Sequence, residues 1–292
     1  IKKYQEKIIT SHEKIYDNLK MTITKEFRLE LDNIYHNTNN MDDFIMIGEN
    51  LSTILISEYL NKNNLPAKSV KYSSKYDLSD LNNVEKRKLL INSFKNETND
   101  FINNDIIPVF SGFIQSKQNN MMKLFGRGYT DTTGAIIANS INAFKYNIWK
   151  ESGGVFTGHP KRIPNVNLIK DLSINEAIEL TSSGNEVLHQ LTAQFAKDNL
   201  MKIEIKDADI ERKYDTLIYY NKLMCHSEPK ILSNVKCDSL HSVNDKLTEE
   251  KVHGIIRAIS SKDNLSLVQL NVLPQICVTS TSVSSRNDVN AS

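Results

Sequence analysis

Residues 106–114, Ile106-Ile107-Pro108-Val109-Phe110-Ser111-Gly112-Phe113-Ile114, form a nearly unbroken apolar run rich in β-branched and aromatic side chains. A strand wetted on one face alternates apolar and polar residues. A strand covered on both faces has no such need, so this run has the character of a buried strand in a parallel sheet. A polar loop follows over 115–123, and Gly126-Arg127-Gly128-Tyr129-Thr130-Asp131 then leads into helical periodicity from Thr132 to Phe144. Tyr146-Asn147-Ile148-Trp149 is a second buried strand by the same reasoning. Strand, loop, helix and strand in that order predict a mostly parallel sheet with helical cover, hence an α/β fold.

The flanking segments suit that class. Ile8, Ile9, Ile15, Leu19, Phe27, Leu31 and Ile34 recur at helical spacing, and a helix is expected from Asp42 to Leu60, ahead of Pro66. Ala67 to Tyr72 fits a short strand and 84–104 an amphipathic helix. The stretch 150–170 is expected as a loop around Gly153, Gly154, Pro160 and Pro164. Ser173 and Glu176 form a capping box that opens a helix over Ile174–Ser182, with a second helix over Val187–Asn199 and a strand over Met201–Ile205. Residues 208–250 are polar and weakly periodic, as in a linker, and the pattern from Val252 to Leu270 predicts a β-hairpin turning at 262–264.

Composition narrows the function classes. With 36 Lys+Arg against 35 Asp+Glu the net charge is +1, which provides no global field for nucleic acid or an anionic membrane. Cys225, Cys237 and Cys277 have no zinc-site spacing and cannot all pair within the chain, which suits a reducing, cytoplasmic setting. Apolar runs fall short of a membrane span, and residues 1–30 show no signal peptide. Ile1 in place of Met points to an N-terminus further upstream. Asparagine is abundant throughout and receives no functional weight.

Three clusters carry candidate chemistry. Gly126 and Gly128 let the backbone turn tightly before a helix N-terminus, where free N–H groups suit an anion; Arg127 offers a planar fork for a carboxylate, and Asp131 suits a metal or an ammonium group. By itself the hexapeptide fits an ordinary helix capped by Thr130 or Asp131 slightly better. Glu49 and Ser52 lie one turn apart within an otherwise apolar helix, which alone fits a satisfied helical pair. Lys150, Glu151, Phe156 and Lys161 surround a glycine-bearing loop after the second strand, at the strand end where α/β sheets bind ligands; alone, this also fits a surface loop.

Taken in register, six motifs resemble the aspartate kinase family. They are Gly48-Glu49-x-Leu51-Ser52, Val109-x-Ser111-Gly112-Phe113, Gly126-Arg127-Gly128-Tyr129-Thr130-Asp131, Ile148-Trp149-Lys150-Glu151-x-x-Gly154-Val155-Phe156-Thr157, Glu176-Ala177-x-Glu179-Leu180 and Gly184-x-Glu186-Val187-Leu188-His189. Tyr129 and Glu186 resemble its fungal branch. The resemblance covers roughly residues 40–210, with a weaker likeness to an ACT regulatory module from 252 onward.

The resemblance implies a three-layer amino-acid-kinase fold over 1–210, a linker over 211–251 and a partial ACT-like α+β module over 252–292. It implies ATP and Mg²⁺ as co-reactants, with L-aspartate phosphorylated on its side-chain carboxylate. Glu49 and Ser52 would bind substrate, with Glu49 on its amino group. Arg127 would fork onto the α-carboxylate, and Thr130 and Asp131 would line the catalytic end. Lys150, Glu151, Phe156 and Lys161 would surround the nucleotide, with no metal held by protein ligands alone. Assembly as a homo-oligomer through the ACT module and regulation by an amino acid such as threonine follow from the same resemblance.

The chain departs from the family pattern in four places. It lacks the opening Lys-Phe-Gly-Gly-Thr-Ser strand. It carries Gln115 where glycine is usual, Gly158-His159-Pro160-Lys161 where Ala-Asp-Pro-Arg is usual, and His189-Gln190 where His-Pro is usual. A catalytically decayed paralogue serving as an amino-acid sensor or scaffold is therefore the alternative expectation.

Overall fold

The computed structural model describes residues 2–36, 41–72, 75–102, 106–117, 124–126, 128–151, 153–160, 162–182, 188–209, 214–220, 268–273 and 276–281. Its helices are α1 (Lys2–Asn18), α2 (Lys25–His36), α3 (Met41–Lys62), α4 (Val84–Ile102), α5 (Tyr129–Ser140), α6 (Ile174–Ser182) and α7 (Gln190–Asp198). Its strands are β1 (Ala67–Val70), β2 (Ile107–Ser111), β3 (Lys145–Lys150), β4 (Val155–Phe156), β5 (Leu168–Ile169), β6 (Asp171–Ser173), β7 (Lys202–Asp207), β8 (Thr216–Tyr219), β9 (Val268–Leu273) and β10 (Ile276–Thr281).

Eight strands form one sheet in the order β1-β2-β10-β9-β3-β7-β8-β6, and β4 pairs with β5 apart from it. The pairs β1/β2, β2/β10, β3/β7 and β6/β8 are parallel. The pairs β9/β10, β3/β9 and β7/β8 are antiparallel, so the sheet is mixed with parallel pairs in the majority. Strand alternation sends successive side chains to opposite faces and divides the core in two. Ile107 and Val109 of β2 and Trp149 of β3 pack with Leu51, Ile54 and Leu55 of α3, Tyr16 of α1 and Phe27 of α2. Phe110 of β2 and Tyr146 and Ile148 of β3 face the other way, onto Phe94 of α4, Ile136 and Ile137 of α5 and Phe195 of α7. Helices, sheet and helices make the three expected layers.

Helix α5 is buried along its whole length. That depth is possible because Gly134 has no side chain: a Cβ there would stand 2.0 Å from the Tyr146 hydroxyl oxygen. Tyr146 is fully buried and donates its hydroxyl to the Asp131 carbonyl at 3.2 Å. The capping box at Ser173 forms as its spacing predicts: the Ser173 amide donates to Glu176 Oε2 at 2.7 Å and the Glu176 amide to Ser173 Oγ at 3.2 Å.

Several expectations change. The first buried run leaves the ladder after Ser111, because the next amides serve a side chain rather than a neighbouring strand. Helix α5 begins at Tyr129 with Gly128 as its N-cap at φ 87°, so neither Thr130 nor Asp131 caps it. Helix α7 begins at Gln190, since His189 is extended and caps it; 183–187, including Glu186 and Val187, lie outside the described residues. The segment expected as a 211–251 linker contains β8, hydrogen-bonded into the main sheet. Strands β9 and β10 also join that sheet. The hairpin turn expected at 262–264 lies outside the described residues, and the observed hairpin joins 268–273 to 276–281.

Candidate active site

The ligand-facing edge is the C-terminal end of β2 and β3, and alternation decides what reaches it. Ser111 shares a face with Ile107 and Val109, so it points toward α3. There Ser111 Oγ donates to Glu49 Oε2 at 3.1 Å, and the Phe113 amide donates to the same oxygen at 2.7 Å. The Tyr129 hydroxyl donates to Glu49 Oε1. Glu49 is fully buried, and burial pushes its carboxyl up to about 7 against the pull of these donors. A carboxylate assembled inside the protein at this cost suits a cationic ligand group.

Lys150 shares the opposite face with Tyr146 and Ile148, toward α5. Its ammonium lies 2.8 Å from Asp131 Oδ2, and both side chains are largely buried. The first turn of α5 thus carries both ends of the site: Tyr129 reaches Glu49, and two residues later Asp131 reaches Lys150. Thr133 Oγ1 donates to the Gly112 carbonyl at 2.6 Å and ties that helix to the end of β2.

His189 braces the glycine turn that precedes α5. The Leu191 amide donates to His189 Nδ1 at 3.2 Å, so the ring proton sits on Nε2 and is donated to the Phe125 carbonyl at 3.0 Å. Thr132 Oγ1 also lies 3.2 Å from Nδ1. Burial lowers the His189 pKa, which favours the neutral ring that this arrangement needs.

The loop after β3 closes over the ends of β7 and β8. At Gly153, φ is 68° and a Cβ would meet Tyr214 Cβ at 2.7 Å. Only glycine fits that approach. The Phe156 ring stands edge-on to Tyr214 with centroids 5.5 Å apart, and is partly exposed. Beside the loop, Lys206 of β7 is buried opposite Trp149 in the register of β3, with its ammonium 5.6 Å from that ring. Its carboxylate neighbours are Glu204 at 3.4 Å and Asp215 at 3.8 Å.

The first turn of α5 therefore connects Glu49, through Tyr129, to the Asp131–Lys150 pair, and Thr130 of the same turn is buried. Phe156 lies in β4, which pairs with β5 inside the stretch expected as a loop, and Glu151 is exposed just after β3. Ser52 is placed differently from expectation: it donates to the Gly48 carbonyl at 3.0 Å and sits 3.4 Å from His12 Nε2 of α1, bracing its own helix. Arg127 and Lys161 lie outside the described residues. Sequence reasoning passed over the pairing roles of Ser111 and Phe113, the hydroxyl of Tyr129, the brace at His189 and the buried Lys206. None of these left a local signal: Lys206 merely continues the apolar–polar alternation of Ile203-Glu204-Ile205-Lys206, which reads as a solvent-facing position.

A family model described as the amino acid kinase family matches residues 3–207. The chain is 31% identical to the aspartokinase of Saccharomyces cerevisiae over 188 residues, which are 62% of this chain and 36% of that protein. It therefore spans about a third of the length of that curated relative. Among solved structures, the aspartate kinase of Clostridium acetobutylicum superposes with a TM-score of 0.56 at 22% identity, over 78% of this chain and 49% of that one. Aspartokinase III of E. coli, solved in complex with aspartate and ADP, superposes with a TM-score of 0.50 at 20% identity, over 67% and 46%. At these identities the superpositions speak for the fold.

Proposed function

We infer the function from the premise that this chain belongs to the amino acid kinase family, with aspartokinases among its relatives: it binds L-aspartate and MgATP and transfers the γ-phosphoryl group to the aspartate side chain. A side-chain carboxylate oxygen attacks the γ-phosphorus, the bond to the β,γ-bridging oxygen breaks, and 4-phospho-L-aspartate and ADP result. The attacking carboxylate is already an anion, so no base is required. Positioning and charge neutralisation carry the catalysis.

The observation that supports this reading best is the first turn of α5, which links a buried carboxylate centre to a buried lysine–aspartate pair. Glu49 receives the substrate ammonium, and Arg127, one residue before the N-cap of α5, receives the α-carboxylate. Thr130 and Asp131 line the reacting end. Ser52 supports the amine end through the turn of α3 that it braces. Lys150, with Glu151, Phe156 and Lys161, faces the nucleotide, and Lys206 adds a further cation near the loop after β3. Mg²⁺ arrives with the nucleotide phosphates, the usual habit of that ion. In this reading the enzyme is cytoplasmic, assembles as a homo-oligomer and responds to an amino acid such as threonine. No helix among the described residues is long and apolar enough to cross a membrane.

Calorimetry with L-aspartate and with succinate, which lacks the amine, tests the reading. Aspartate is expected to bind and succinate to bind at least tenfold more weakly, with Glu49→Gln abolishing the preference. Equal binding of the two acids, or a preference that survives in Glu49→Gln, would overturn the assignment of the amine end.

A further inference from the structure

Three donors converge on Glu49: the Ser111 hydroxyl, the Phe113 amide and the Tyr129 hydroxyl. A carboxylate has about four lone-pair sites. Two of the donors come from the last residue of β2 and the turn that follows it, and arrive together. The third comes from α5 and is the one held by a separate packing arrangement. The Tyr129 ring stands edge-on to Phe113, with centroids 5.4 Å apart and planes at 83°, which sets where its hydroxyl points. Tyr129 thereby joins the turn that carries Glu49's other donors to the helix that carries Asp131.

We propose that Tyr129 is a positioning residue for Glu49: its hydroxyl, seated by the Phe113 ring, pins the second carboxylate oxygen and holds the side chain as an anion ready to receive an amine. This deepens the functional reading given above and rests on it for the identity of the amine. A donor to the charged form stabilises that form, so losing it leaves burial less opposed and raises the pH at which the proton leaves. The titratable groups that feel Glu49 are Tyr129 on α5 and Tyr72 after β1, and both hold their phenol protons well above the ordinary range. Tyr72 donates to the Ser111 carbonyl. The next charges along α5 and β3, Asp131 and Lys150, are paired with each other. Burial places the ionisation of Glu49 itself near neutral pH.

The test is a ¹³C NMR titration of the glutamate carboxyl carbons in the 292-residue chain, with the Glu49 resonance assigned by its loss in Glu49→Gln. The midpoint is expected near 7 in the unaltered chain. In Tyr129→Phe it is expected to rise by roughly one to two pH units, the size of a lost hydrogen bond to a charged group. A 3-fluorotyrosine placed at position 129 keeps the shape and strengthens the donor, so the midpoint is expected to fall. Unmoved midpoints in both variants, with only thermal stability changed, would reduce Tyr129 to a packing residue and overturn the proposal. Aspartate affinity of the same samples separates the two readings. A midpoint that moves without any aspartate binding leaves the Tyr129 role standing and sinks the kinase assignment. Glu49-dependent binding with fixed midpoints does the reverse.

Discussion

The Asp131 carboxylate and the Lys150 ammonium lie 2.8 Å apart where α5 meets β3, on the sheet face opposite the helix that carries Glu49. Only 2% of the Asp131 side chain and 15% of the Lys150 side chain are exposed, so neither charge is well hydrated. Removing one partner of such a pair strands the other in a poorly solvated place. Lys150→Met is therefore expected to destabilise the chain by about 3 kcal/mol, and Asp131→Asn by a comparable amount. The double variant should recover at least about 1 kcal/mol of the sum, since it removes both charges. Urea unfolding of the four proteins measures the coupling, and strictly additive losses would contradict the ion pair.

Glu49 makes stability depend on pH in a defined direction. Its carboxyl is raised in the folded state from 4.5 to about 7, so between those values the folded chain holds a proton that the unfolded chain has released. This contribution is full below about pH 4.5 and is lost as pH rises through 7. In Glu49→Gln that loss should vanish, a difference on the order of 2–3 kcal/mol between pH 5 and pH 8. Binding runs the other way: an amine requires the anion, so aspartate affinity should rise with pH until Glu49 is ionised. Denaturation midpoints and calorimetry across that range check both signs.

At Gly134 two effects oppose one another. Alanine is the better helix former by about 1 kcal/mol. Its Cβ, however, would stand 2.0 Å from the Tyr146 oxygen and 2.6 Å from Cζ of a side chain with no room to move. Overpacking of this kind costs about 1–3 kcal/mol or more. The clash should win, and Gly134→Ala should lower the melting temperature; an unchanged or raised value would show that Tyr146 yields.

Arg87 provides a contrast far from the site. Its Nε and Nη2 meet the two Asp198 oxygens at 2.6 and 3.0 Å, and Nη1 donates to the Leu81 and Asn82 carbonyls at 2.7 and 2.9 Å, locking α4 to the end of α7. A lysine ammonium cannot span this set. Arg87→Lys is expected to cost about 2 kcal/mol in unfolding experiments while leaving the preference for aspartate over succinate unchanged.

Arg127 is assigned to the substrate's α-carboxylate, which keeps its charge throughout the transfer. Its loss should weaken ground state and transition state alike, raising KM for aspartate more than it lowers kcat. A desolvated charge-assisted pair implies about 30-fold or more in that KM, with only partial recovery in Arg127→Lys. Steady-state kinetics at saturating MgATP measure this; a rise confined to KM for ATP would reverse the assignment.

What the amino-acid sequence determined alone is what short-range chemistry encodes. The Ser173–Glu176 box is legible because donor and acceptor sit three residues apart on one chain turn. The buried runs around Val109 and Ile148 are legible because two-sided burial removes alternation, and together with the helix between them they specify an α/β sheet. The glycine turn before α5 and the motif order were also visible, and with them Glu49, Asp131 and Lys150 as residues to watch.

Tertiary structure decided which of these residues meet. Glu49 is completed by Ser111, Phe113 and Tyr129, which lie 62, 64 and 80 residues along the chain, and no periodicity relates positions so far apart. Side-chain alternation sends Ser111 to the α3 face and Lys150 to the α5 face, but which helix covers which face is set by the packing of the whole sheet. Ser52 sits one helical turn from Glu49, yet that turn carries it to His12 rather than to the site. Strand β8 is a short apolar run, Thr216-Leu217-Ile218-Tyr219, set inside a polar stretch, and its pairing with β6 and β7 is what makes it part of the sheet. The pattern of burial is written locally, whereas the ionisation and partnering of a buried carboxylate depend on donors delivered by distant segments.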